Sequence, residues 1–148
     1  EMTVRVVIPD ALVSDLIGRN YVVVQEVENR SGAVVKIDTN PDGEGLVDLS
    51  GTASAIVRCI TEYAPILRTA ADAHGGRDSM TVSVELERGE TRSFREARGV
   101  SLLDSRDTRT PPVACVQGTS ADVARSVIFV VEQVVELRRA AATGGASK

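Results

Sequence analysis

Residues 17–37 read IGRNYVVVQEVENRSGAVVKI, and this stretch decides the fold. Gly18 ends a short amphipathic segment, and apolar residues then recur at helical spacing until Ser31-Gly32 ends the next segment. A strand-like run, Ala33 to Thr39, follows directly. The stretch therefore predicts two short helices joined by a tight loop and followed by a strand.

The flanking segments extend this pattern to a β-α-α-β-β-α order. Thr3 to Pro9 is β-branched and predicts a first strand, and Leu46 to Leu49 predicts a strand that returns after a polar turn. Ser50-Gly51-Thr52 then opens a long apolar helix. The order predicts an α+β unit with a three-stranded antiparallel sheet backed by helices.

The second half of the chain echoes the first. Met80-Thr81-Val82 matches Met2-Thr3-Val4, and Gly118-Thr119 matches Gly51-Thr52. The second copy is shorter, with room for about one helix between its first two strands. The predicted organisation is a first unit at residues 1–71, a linker at 72–79, a second unit at 80–142 and a tail at 143–148.

The first unit resembles a type I KH domain, a module that binds single-stranded nucleic acid. The family pattern is apolar-Ile-Gly-x-x-Gly, two further helical Ile positions, Ser/Thr-Gly-Ala and an apolar strand. The matching residues, in register and without an insertion, are Leu16-Ile17-Gly18-Arg19-Asn20-Tyr21, Val24, Val27, Ser31-Gly32-Ala33, Val35 and Ile37. The resemblance implies that the loop between the helices clamps four nucleotides by close backbone approach.

The loop departs from the family pattern at its end. Tyr21 stands where the last glycine is expected, and Gln25 stands where a lysine is usual. The Tyr21 side chain obstructs close approach to a phosphate but offers a ring on which a base can stack. The RNA-binding residues implied by the resemblance are Ile17, Gly18, Arg19, Asn20, Tyr21, Val24, Arg30 and Lys36.

A second candidate surface combines exposed valines with an arginine cluster. Val22, Val23 and Val24 are consecutive at a helix start, so at least one is expected to face solvent or a partner. Arg88, Arg92 and Arg95 are spaced so that they share one face if their segment is α-helical, and Arg98 follows. Four environments for these arginines remain open: phosphate groups, an acidic protein partner, ion pairs with the acidic first unit, or solvent alone. The second unit has no Gly-x-x-Gly loop, so we interpret it as a degenerate KH-like unit.

Composition limits the function. The 148-residue chain is 43% apolar and 26% charged with a net charge of −4, which argues against a general polyanion binder. No apolar run is long enough to span a membrane. The single histidine, His74, and two cysteines do not form a usual zinc site, and no nucleophile or nucleotide-binding motif is present. We expect no enzyme activity, no cofactor and no metal.

Two functions from different classes remain open. The first is an RNA-associated adaptor that binds single-stranded RNA weakly through the first unit and a protein through the second. The alternative is a protein–protein scaffold of KH ancestry that binds no nucleic acid. Self-association is left open. Cysteines within apolar patterns indicate a reducing intracellular compartment, which is the cytoplasm, the nucleus or an organelle matrix.

Overall fold

The computed structural model describes residues 2–75, 77–95, 99–103 and 111–146. The first half contains β1 (Met2–Pro9), α1 (Val13–Ile17), α2 (Val22–Ser31), β2 (Val34–Thr39), β3 (Glu44–Gly51) and α3 (Ala53–Ala73). The second half contains β4 (Met80–Glu85), β5 (Val100–Leu103), β6 (Val113–Gly118) and α4 (Ser120–Ala146). Short 3₁₀ segments lie at Asp10–Leu12, Arg19–Tyr21 and Arg88–Phe94.

The strands form one six-stranded sheet in the order β2-β3-β1-β4-β6-β5. All neighbouring strands are antiparallel, and β1 meets β4 at Val6↔Val84 and Val7↔Ser83. Each half therefore contributes three strands with the same internal order. The predicted α+β class and the antiparallel sheet are confirmed, but the two halves share one continuous sheet that the sequence analysis did not predict.

The core is aliphatic and lies on one side of this sheet. Inward residues alternate along each strand, as in β1, where Val4, Val6 and Ile8 are buried. α3 and α4 pack against each other, and α4 also packs on β4 and β6. α4 is not buried all round, because the side chain of Phe129 is 47% exposed. A single hydrophobic cluster includes residues from both halves.

The two halves differ between their first and second strands. The first half places α1, a loop and α2 there, whereas the second half has the 3₁₀ segment Arg88–Phe94. Phe94 and Glu90 of that segment are buried. The predicted linker at 72–79 begins inside α3, and Asp72 accepts a hydrogen bond from the hydroxyl of Ser120 at the start of α4.

One arginine joins three elements of the second half to the first. Arg138 on α4 donates from Nε to Oε2 of Glu90 at 2.9 Å and from Nη2 to the carbonyl of Glu85 at 3.4 Å. Its Nη1 donates to the carbonyl of Thr3 on β1. The side chains of Arg138 and Glu90 are only 15% and 8% exposed, so this charged contact lies largely out of water.

Candidate nucleic-acid interface

The loop between α1 and α2 begins with a glycine that nothing else can replace without strain. Gly18 has φ 74°, a left-handed value that glycine tolerates best. A Cβ atom at this position would lie 2.5 Å from Cγ2 and 2.9 Å from the backbone nitrogen of Val23. Gly18 therefore lets the loop backbone pack directly on the first turn of α2.

The next residues of the loop keep left-handed backbone geometry without glycine. Asn20 and Tyr21 have φ 56° and φ 63°, and among the described residues they are the only non-glycine positions with positive φ. Asparagine tolerates this region, but for tyrosine it costs about 1–2 kcal/mol. The backbone at Tyr21 thus has a conformation suited to glycine, although the side chain is bulky.

Exposure along the loop agrees with the expectation for the valine run. The side chain of Tyr21 is 62% exposed and that of Val22 is 49% exposed, while Val23 is half-buried and Val24 is buried. Arg19 is exposed and forms no ion pair or hydrogen bond with any side chain in the described ranges. The loop therefore presents an aromatic ring, an aliphatic side chain and one free cation.

A glutamate in the C-terminal half of α2 contacts the edge of the sheet. Oε2 of Glu28, on α2, accepts a hydrogen bond from the backbone N–H of Val35 on edge strand β2 at 2.9 Å. Ile17 is half-buried, and the side chains of Val35 and Ile37 face the helices. No sequence pattern identifies Glu28, since only the fold brings this carboxylate to a strand residue seven positions away. It adds negative charge between α2 and β2.

Two of the three basic residues expected at the interface lie elsewhere. Lys36 alternates with Val35 and Ile37 and so faces the opposite side of the sheet, where it pairs in register with Asp48. Arg30 lies near the far end of α2, about 12 Å along the helix from Val22, and its Nη1 is 3.5 Å from Glu62 Oε2. The structure brings only Arg19 to the loop.

The segment predicted to carry an arginine face in the second unit is not an α-helix. Residues 88–94 form a 3₁₀ helix with three residues per turn, so the i, i+4, i+7 spacing does not align the arginines as an α-helix would. Arg92, inside the 3₁₀ helix, and Arg95, which follows it, are both exposed. The side chain of Arg88 and all of Arg98 lie outside the described residues.

Other kinds of site find little support in the described residues. No group of three or more histidine, cysteine or carboxylate side chains among them is placed to hold a metal ion. No helix in the described ranges has the length and apolarity to cross a membrane. Cys59 is buried and Cys115 is partly exposed, and both thiols are free.

The KH domain family model matches residues 3–62, from β1 into α3. With the β-α-α-β-β-α order of its elements, this segment is a type I KH domain. No curated protein matches the chain. KH domains are typically non-enzymatic modules that bind RNA or other single-stranded nucleic acid, so the family indicates nucleic-acid binding. The match does not cover residues 80–142, and their interpretation as a degenerate KH-like unit stays a prediction.

Proposed function

We propose that the chain is an RNA-associated adaptor whose first unit binds single-stranded RNA weakly through the Gly18–Tyr21 loop. The observation that carries this proposal is the loop backbone, which keeps Gly18 against Val23 and a left-handed residue at position 21. In the family, this geometry brings backbone N–H groups close to phosphates. Arg19 adds a free positive charge at the same place.

Weak binding follows from the charges around the loop. One cation, Arg19, lies in the loop, and the carboxylate of Glu28 lies beside the adjoining strand. The chain as a whole carries a net charge of −4. Because phosphate contacts provide most nucleic-acid affinity, a site with few of them binds weakly and with a shallow salt dependence.

The second unit has two roles in this proposal. β4 covers the edge of β1, which would otherwise present unpaired backbone groups, and α4 packs on α3. The second unit thereby stabilises the KH domain. The exposed arginines Arg92 and Arg95, together with Val22 and the half-buried Val23 of the first unit, supply the surfaces for a protein partner.

The second candidate function is a protein–protein scaffold without nucleic-acid binding. The specific observation in its favour is the adjacent pair Tyr21 and Val22, which are 62% and 49% exposed and form an apolar spot on a net acidic chain. For either function we propose a reducing intracellular location, because the two thiols are free and Cys59 lies in the core.

The direct test is fluorescence anisotropy with a randomised single-stranded RNA of about ten nucleotides, at about 50 and 200 mM salt. Wild type is compared with Arg19→Asp/Asn20→Asp and with the control Arg92→Asp in the second unit. We expect micromolar binding that weakens with salt, is lost in the loop variant and persists in the control. If wild type does not bind at either salt concentration, the scaffold function replaces the adaptor function.

A further inference from the structure

The few aromatic residues of this chain are unevenly placed. The sequence has two tyrosines, two phenylalanines and no tryptophan. Tyr63 and Phe94 are each 1% exposed and fill the core, whereas Tyr21 is 62% exposed at the tip of the loop. The hydroxyl of Tyr21 makes no hydrogen bond with any described residue. The most exposed aromatic ring among the described residues therefore lies at the expected nucleic-acid contact.

We propose that Tyr21 is a stacking platform for one nucleobase of a single-stranded RNA. This inference deepens the proposed function and rests on it. A ring at this position replaces part of the close backbone approach that glycine gives in the family. The side chain and the phosphate contact then act together: Arg19 pairs with the backbone of the strand while Tyr21 covers a base.

The backbone conformation of the loop is fixed at Tyr21, whose side chain is exposed. Left-handed φ at Tyr21 is strained for a residue with a Cβ, and strain of this kind persists only where the surroundings fix it. Two contacts fix it here: Gly18 packs on Val23, and the N–H of Tyr21 donates to the carbonyl of Gly18 at 3.3 Å. Because the backbone at Tyr21 is already fixed, stacking of a base requires no further ordering of the loop backbone, which favours binding.

Stacking also defines the kind of ligand. Every base has a π face, so a ring platform accepts any base and selects unpaired strands over duplexes. The carboxylate of Glu28, in the C-terminal half of α2, repels phosphates that approach edge strand β2, so the phosphate contacts are expected on the side of Arg19. We expect an accessible, unstructured strand with little base preference at the position that covers Tyr21.

The test separates the ring from the backbone. Tyr21→Phe keeps the π face, Tyr21→Leu keeps an apolar side chain and the strained φ, and Tyr21→Gly removes the side chain and the strain. Phe129→Leu is the matched control, since Phe129 is an exposed aromatic on α4. We expect Tyr21→Phe to bind the randomised RNA with an affinity within about twofold of wild type. The affinities of Tyr21→Leu and Tyr21→Gly should be about 5- to 100-fold lower.

Tyrosine fluorescence gives an independent readout, because the chain has no tryptophan and only two tyrosines. RNA should quench the exposed Tyr21 in wild type and leave the buried Tyr63 of Tyr21→Phe unchanged, after correction for RNA absorbance with free tyrosinamide. Thermal melts confirm that each variant is folded, and Tyr21→Gly is expected to melt at or above the wild-type temperature.

Three results overturn the stacking proposal. If Tyr21→Leu and Tyr21→Gly bind as tightly as wild type while Arg19→Asp/Asn20→Asp loses binding, RNA binding stands and the ring is not its platform. If Tyr21→Leu weakens binding but RNA does not quench wild-type fluorescence, the ring contacts RNA without stacking. If wild type binds no RNA, both this proposal and the proposed function are wrong, and self-association through Tyr21 and Val22 becomes the property to measure.

Discussion

Replacing Arg138 with methionine should destabilise the whole chain. In the folded protein Arg138 donates to both carboxylate oxygens of Glu90, at 2.9 and 3.3 Å, and to two backbone carbonyls. Methionine keeps much of the apolar stem but removes these donors from the Glu90 carboxylate, which is 8% exposed and still accepts from the backbone N–H of Glu87 at 2.7 Å. Removing one partner of a buried ion pair lowers the free energy of unfolding by about 3–5 kcal/mol. Because Glu90 keeps one hydrogen-bond donor, we expect a loss of about 3 kcal/mol, at the lower end of this range.

The adjacent residue provides a matched control. Arg139 pairs with Glu136 at 2.8 Å, but these side chains are 62% and 59% exposed. Arg139→Met should therefore cost less than about 1 kcal/mol. Urea unfolding at neutral pH measures the free energy of unfolding of both variants. In thermal melts, the melting temperature of Arg138→Met should fall by about 6–12 °C for a chain of this size.

Adding Glu90→Gln to Arg138→Met should recover part of the lost stability, since a neutral amide still accepts from Glu87 and leaves no unpaired charge. The reasoning is refuted if Arg138→Met and Arg139→Met lie within about 1 kcal/mol of each other. That result would mean that the contact between α4, the 3₁₀ segment and β1 does not hold the two halves together.

Three further predictions address the loop, the strand edge and the core. Gly18→Ala places a Cβ 2.5 Å from Val23 Cγ2 at a residue with φ 74°. It should therefore lower the free energy of unfolding by about 2–3 kcal/mol and abolish RNA binding. A urea unfolding curve identical to that of wild type would contradict the packing described for Gly18. Glu28→Gln keeps an acceptor for the N–H of Val35 and removes a negative charge. Anisotropy should therefore show an RNA affinity raised by about two- to fivefold, while the free energy of unfolding stays within about 0.5 kcal/mol of wild type. Unchanged affinity would place Glu28 outside the interface. Burial raises the pKa of the Cys59 thiol from 9.0 to about 12. The folded state therefore favours the neutral thiol, and stability should fall above about pH 9 by up to about 1.4 kcal/mol per pH unit. Urea unfolding at about pH 9 and 10 should show this slope in wild type and a smaller one in Cys59→Ala; equal slopes would exclude Cys59 as the cause.

Local sequence patterns predicted the first unit well. The stretch from Ile17 to Ile37 contains helix ends, a glycine turn and an apolar strand in fixed register, and each depends on neighbours close in sequence. α2 accordingly ends at Ser31, as predicted, and β2 begins one residue after the predicted Ala33 and ends at the predicted Thr39. The exposed member of the valine run, Val22, also follows from helical periodicity at the start of α2.

Long-range contacts were beyond such patterns. The pairing of Val6 with Val84 joins strands far apart in sequence, and no local periodicity specifies which edges meet. The bond between Glu28 and Val35 depends on how α2 turns into β2. Lys36 was misplaced for a simpler reason: strict alternation with the inward Val35 and Ile37 already assigns it to the opposite face. The arginine spacing failed because the segment is a 3₁₀ rather than an α-helix.

The central claim is that the Gly18–Tyr21 loop contacts single-stranded RNA. The most direct test is a two-dimensional NMR titration of isotope-labelled protein with the randomised RNA, following backbone amide resonances. The account predicts the largest shifts at Gly18, Arg19, Tyr21 and Val22, with smaller ones at Val35 and none in the Arg92–Arg95 segment. Shifts confined to Arg92 and Arg95, or no shifts at saturating RNA, would contradict it.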